Sequence, residues 1–209
     1  MDVYLNGTKE VIFDSTIQLT HQQGFENVSV RDIAKKSGIK APSIYNHYAN
    51  KEQILHKIYD YYVFHMEDNR LLKEEMMKII ATGTADEIVH GFSFTFAGPD
   101  QKKYQRMILI TKIVYMRIFQ DDKAHRIFLE VTEDQLRYVR EMLQYGIGIG
   151  RIRKELNVPT FADLLINSRQ FMGLMAFAKP GYKVGQLAEE DGILAMLTEF
   201  LSQYMIQAV

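Results

Sequence analysis

The stretch SVRDIAKKSGIKAPSIYNHYANKEQIL, residues 29–55, packs several helix-start signals and one glycine turn into a short segment. Ser29 stands three residues before Asp32, the spacing at which a hydroxyl and a carboxylate satisfy the free amides of a helix start. Ile33, Ala34, Lys35 and Lys36 continue that helix. Gly38 then suits a left-handed turn, which a β-carbon resists. Pro42 opens the next helix, where its missing N–H costs nothing. Asn50 and Gln53 resemble a second capping box ahead of a further helix. The spacing predicts two short helices joined by a tight turn, the helix-turn-helix arrangement.

Facing follows from the helical advance of about 100° per residue. On the second short helix Pro42, Ser43, Asn46 and His47 share one side, Ile44 and Tyr48 fall opposite, and Tyr45 sits at the boundary. Small and hydrogen-bonding groups on such a face can approach base edges in a major groove. Tyr45, His47 and Lys51 suit phosphate contact, which positions without reading sequence. Facing alone equally allows an amphipathic helix with an ordinary solvated side.

Charge is distributed to match. The chain has 209 residues and a net charge of −1. Residues 1–27 carry Lys9 against Asp2, Glu10, Asp14 and Glu26, net −3. Residues 28–51 carry Arg31, Lys35, Lys36, Lys40 and Lys51 against Asp32, net +4. One basic segment in a mildly acidic chain is how a local phosphate-facing patch appears.

Residues 8–62 resemble the DNA-binding domain of the TetR family of transcriptional regulators. The likeness rests on Gly24-Phe25, Ser29 to Ala34, Gly38-Ile39, Ile44-Tyr45, His47-Tyr48 and Lys51 to Leu55. It implies a three-helix DNA-binding head, a larger helical ligand-binding body and a homodimer. A small molecule in that body would change the separation of two heads and release a duplex DNA operator. On this reading Lys40, Ala41, Pro42, Ser43 and Asn46 face the groove, while Ser29, Tyr45, His47 and Lys51 hold the backbone. Three departures stand out. Lys40 replaces a capping Ser or Thr, only Lys9 precedes the first helix as a basic residue, and Ser15 and Thr16 stand where alanines are usual.

Outside this segment the apolar spacing is helical, with glycines near the breaks. Helices are expected over about 8–23, from Asn50 onward, and over roughly 70–82, 84–97, 101–120, 123–146, 160–178 and 188–206. The expected fold class is all-α, with a helix-turn-helix DNA-binding domain at 1–50 and a ligand-binding and dimerisation domain at 51–209. Met76, Phe92, Phe96, Met107, Tyr115, Met116 and Phe119 are candidates for a ligand pocket, because methionine and aromatic side chains line adaptable cavities. For any one of them ordinary core is the first reading; the resemblance implies that some line a pocket without saying which. Phe161, Leu165, Met172, Met175, Leu197, Phe200 and Leu201 lie on wide apolar faces. The resemblance implies that these faces form a four-helix dimer interface.

Catalytic readings find little support. With no cysteine, thiolate chemistry and cysteine-ligated metals are excluded. Glu87-Ile-Val-His90 has the Glu-x-x-His spacing of a di-metal helix, and Asp122-Lys-Ala-His125 is a loose second copy, but such a site needs further inward carboxylates. The run Gly146-Ile-Gly-Ile-Gly150 lacks the strand-to-helix context of a phosphate loop. No cofactor and no enzyme activity are expected. No signal peptide or spanning segment is evident, so a cytoplasmic protein without membrane contact is expected. A non-catalytic helical protein-interaction module is the alternative.

Overall fold

The computed structural model describes residues 7–68, 73–92, 101–178 and 192–206. The fold is all-α, and the described residues contain no strand beyond one isolated antiparallel bridge between Ile152 and Met205. The chain divides into two compact units: Met1–Asp68 with Phe96–Phe128, and Asn69–Thr95 with Leu129–Val209.

The first unit begins with α1 (Gly7–Gln23), a 3-10 turn (Phe25–Asn27), α2 (Val30–Lys36) and α3 (Ala41–Ile44). It continues with α4 (Lys51–Asp68) and α7 (Gln101–Arg117). Its small core gathers Ile12 of α1, Ile33 of α2, Ile44 of α3 and Ile54 of α4, with Val28 and Tyr48 from the turns between them. Helix α1 packs against α2, α4 and α7. Thr16, fully buried on α1, donates its hydroxyl to the Ile12 carbonyl at 2.8 Å. A polar residue thereby occupies the packed face without an orphan group.

The second unit contains α5 (Lys73–Thr82), α6 (Ala85–Gly91), α9 (Val158–Ala178), α10 (Gly192–Ser202) and most of α8 (Asp122–Gly148). Val131, Gln135, Val139 and Met142 form a buried stripe of α8 at spacings of three and four. Gly146 ends that stripe because nothing larger fits. A Cβ there would lie 2.6 Å from Ile152 Cδ1 and 2.9 Å from Ile80 Cγ2. Beyond it the amides of Arg153 and Ile206 donate to Tyr204 and Arg151 carbonyls at 2.8 and 2.9 Å, tying the chain after α10 to the turn after α8.

The helix starting near residue 84 is shorter than the sequence suggests. It ends at Gly91, and the rest of the expected span, with Phe96, lies outside the described residues.

Candidate nucleic-acid interface

Helix α2 begins with the expected reciprocal cap. Ser29 Oγ accepts from the Asp32 amide at 3.2 Å, and the Ser29 amide donates to Asp32 Oδ2 at 2.9 Å. The Ser29 hydroxyl also donates to that carboxylate, at 2.5 Å. These bonds hold the Asp32 carboxyl below its ordinary range. Gly38 follows at φ +69°, a left-handed conformation that a side chain would strain. The turn therefore has a fixed angle, set by one cap and one glycine.

The recognition segment is shorter and tighter than a full helix. Only Ala41–Ile44 is α-helical. The next residues close 3-10-type bonds: Tyr45, Asn46 and His47 amides donate to Pro42, Ser43 and Ile44 carbonyls at 3.2, 3.4 and 2.9 Å. Lys40 occupies the N-cap and makes no side-chain cap. Ile44 is fully buried and Tyr48 nearly so, while Tyr45 is 57% exposed. Lys40, Pro42 and Asn46 are exposed, and Ala41, Ser43 and His47 half-exposed. The anchoring pair thus points inward and the polar groups outward, as the facing predicts. Burial pushes the Tyr48 phenol up to about 12, and its hydroxyl donates to the Lys9 carbonyl at 3.2 Å.

Two expected backbone holders are already engaged inside the head. The Ser29 hydroxyl is taken up by its cap. Lys51 Nζ donates to the Phe25 carbonyl at 3.0 Å and lies 4.3 Å from the Phe25 ring centroid. Its ammonium fixes the start of α4 to the turn after α1. The second cap also differs in detail. Asn50 Oδ1 accepts from the Gln53 amide at 2.8 Å, but Gln53 Oε1 accepts from Ala49 rather than from Asn50. Arg31, Lys35, Lys36 and Lys40 are exposed and make no ion pair among the described residues. Three of these, Arg31, Lys35 and Lys36, are exposed cations that motif reading left out of the site. The net +4 of residues 28–51 was the signal that pointed to them.

The pocket candidates do not converge within either unit. Met76 and Phe92 are fully buried in the core of the second unit. Met107 is fully buried in the first. Tyr115, also in the first unit, meets Phe128 edge-to-face at 5.5 Å. Met116 is exposed, and Phe119 is 89% exposed at the end of α7.

The dimer candidates need correction. Phe161, Leu165, Leu197 and Leu201 are buried in the core of their own unit and cannot meet a second chain. Met175 and Phe200 are exposed and Met172 half-exposed. The exposed apolar stripe of α9 is Leu164, Phe171, Leu174 and Met175, with Met196 and Phe200 on α10.

The metal reading of Glu87 and His90 also finds another explanation. Glu87 Oε2 accepts from the Thr84 amide at 2.7 Å and from its hydroxyl at 3.0 Å, closing a capping box at the start of α6. His90 Nδ1 lies 2.9 Å from the Asp86 carbonyl oxygen. Thr84 is the signal overlooked, since it sits three residues ahead of Glu87.

A capped two-helix turn with a left-handed glycine and an outward polar face is the helix-turn-helix arrangement. The sequence model described as bacterial regulatory proteins, tetR family, matches residues 12–58. Through this segment the chain is similar to the TetR family. It is 41% identical over 49 residues to the biofilm operon icaADBC HTH-type negative transcriptional regulator IcaR of Staphylococcus epidermidis. That stretch spans 23% of this chain and 26% of the relative. The whole fold is similar to that of a TetR-family regulator from Cytophaga hutchinsonii, at TM-score 0.67 and 18% identity, covering 98% of this chain and 100% of the other. It is also similar to a transcriptional regulator from Saccharomonospora viridis in complex with choline, at TM-score 0.65 and 15% identity over 95% and 97%. Among the described residues no helix is long and apolar enough to cross a membrane.

Proposed function

We propose that the chain is a dimeric, ligand-responsive repressor that binds a duplex DNA operator in the cytoplasm through residues 1–50. Residues 51–209 form the body that binds the ligand and joins two copies. The observation that carries this reading is the recognition segment. Ile44 and Tyr48 anchor it while Pro42, Tyr45 and Asn46 stand exposed, beside cations that make no ion pair among the described residues.

Roles divide by geometry. Lys40, Ala41, Pro42, Ser43 and Asn46 face base edges. Tyr45 and His47, with Arg31, Lys35 and Lys36, meet phosphates. Ser29 and Lys51 act by fixing the ends of α2 and α4. The relative's description as a negative transcriptional regulator supports repression. The exposed stripes of α9 and α10 support pairing of two copies, because an isologous contact buries both at once. A fold neighbour in complex with choline supports a small-molecule effector of a class still to be identified.

A salt titration against duplex DNA tests the reading. The logarithm of affinity should fall linearly with the logarithm of salt, by about 0.9 per phosphate contact. Lys35→Ala should reduce that slope by about one contact for every sequence, whereas Asn46→Ala should alter preference among sequences. Affinity indifferent to salt would remove the proposal.

A further inference from the structure

Helix α1 and the turn after it are acidic, which disfavours approach to phosphate, and α7 cancels that acidity. Every described carboxylate ahead of α2 is held by a cation of α7. Arg106 grips Asp14 with two bonds, Nε to Oδ1 at 2.7 Å and Nη2 to Oδ2 at 2.8 Å. Its Nη2 also donates to Glu10 Oε1 at 2.7 Å, and Lys102 Nζ donates to the same oxygen at 2.8 Å. Arg117 Nη1 donates to Glu26 Oε1 at 2.7 Å, and its Nε donates to Tyr59 Oη at 3.0 Å. Both arginines are nearly covered, with side chains 11% and 12% exposed. Hydrogen bonds from Lys102 and then Arg106 hold Glu10 below its ordinary value, and one from Arg117 does the same for Glu26.

These acids lie next to the recognition turn. Tyr48 Oη reaches the carbonyl of Lys9, the residue before Glu10, and the Asp14 charge helps raise the Tyr48 phenol after burial has done most of it. Glu26 follows Phe25, whose carbonyl holds Lys51 at the start of α4. Charges within about 10 Å of one another interact appreciably at 0.1 M salt. Uncovered, the three carboxylates would oppose the field of Arg31, Lys35, Lys36 and Lys40.

We infer that Arg106 and Arg117 are positioning residues for DNA binding, which set affinity by neutralising Glu10, Asp14 and Glu26 without touching the duplex. This rests on the reading of the chain as a DNA-binding regulator. Anything that draws α7 away from α1 then changes the charge of the head.

The test is anisotropy of a labelled random-sequence duplex of about 30 base pairs, so that phosphate contact alone is read. Arg106→Met with Arg117→Met keeps apolar bulk near the Phe13, Tyr61 and Phe25 rings while removing both charges. At about 50 mM salt its affinity should fall roughly tenfold, shrinking to about twofold at 0.3 M. Adding Glu10→Gln, Asp14→Asn and Glu26→Gln removes three negative charges against the two positive ones lost and should restore binding to at least the wild-type level. An unchanged affinity in the arginine variant overturns the inference, as does a loss that the neutral acids fail to restore. If the arginine variant does not fold, the three neutralised acids alone decide. Their chain should bind several-fold tighter than wild type, and equal binding overturns the inference. Wild-type chain that ignores the duplex would instead bring down the functional reading beneath it.

Discussion

The head and helix α9 are both helical and rich in apolar residues, yet they dispose of them in opposite ways. In the head the apolar anchors point inward, and what remains outside is mainly polar or charged, Val11 and Tyr45 apart. Helix α9 is apolar on two sides. Phe161, Ala162, Leu165 and Ile166 fill the core of the second unit, while Leu164, Phe171, Leu174 and Met175 face out, with Phe171 59% exposed. A large exposed apolar stripe marks an interaction surface, whereas the head's surface is fitted to a polyanion. One region is therefore finished by folding; the other leaves an apolar face uncovered.

Four changes break or sharpen this contrast. The largest effect is expected on the outward side of α9. Phe171→Glu with Leu174→Glu would bury unpaired charge in the dimer, at about 3–5 kcal/mol for each. Light scattering should then report a monomer, and far-UV dichroism an intact helical fold. Leu165→Ala, one step round the same helix, should do the reverse. It should cost about 2–5 kcal/mol in urea unfolding through its cavity, without weakening the interface contacts. In the head, Gly38→Ala should cost about 1–2 kcal/mol, because the residue must hold a left-handed conformation; thermal unfolding measures it.

The smallest effect follows from Glu10 and Glu26, whose folded values lie below the ordinary glutamate value of 4.5. Depressed carboxylates stabilise the fold above their unfolded value and lose that contribution as pH falls through the folded one. The urea midpoint should therefore hold steady from pH 7 to about 5 and decline below 4.5. The decline should be only a fraction of 1 kcal/mol per pair, since these acids are partly solvated. It should shrink without vanishing in the Glu10→Gln, Glu26→Gln chain, because Asp32 and Glu87 are also held below their ordinary values.

The same contrast explains what the sequence made legible. Ser29 with Asp32, Gly38 and Pro42 act within one turn of chain, so their spacing gave the head's geometry directly. The position of Lys51 could not be read so. Its carbonyl partner is Phe25, which sequence places far away and folding brings close. Helix α9 shows a different limit. When both sides of a helix are apolar, periodicity finds the helix but not which side meets the core. Phe161 and Leu165, which the apolar pattern alone places on an outer face, lie in the core, and Phe171 and Leu174 face outward. Glu87 and His90 mark a third limit, because a cap and a metal pair share similar spacing.

Selection from a random duplex library tests the central claim most directly. The account predicts enrichment of a two-fold-symmetric sequence by wild-type chain, with half-sites related by whole helical turns of about 10 base pairs. Asn46→Ala should change the bases enriched within each half-site. A library that emerges without any enriched sequence, or one that the Asn46 variant enriches identically, would contradict it.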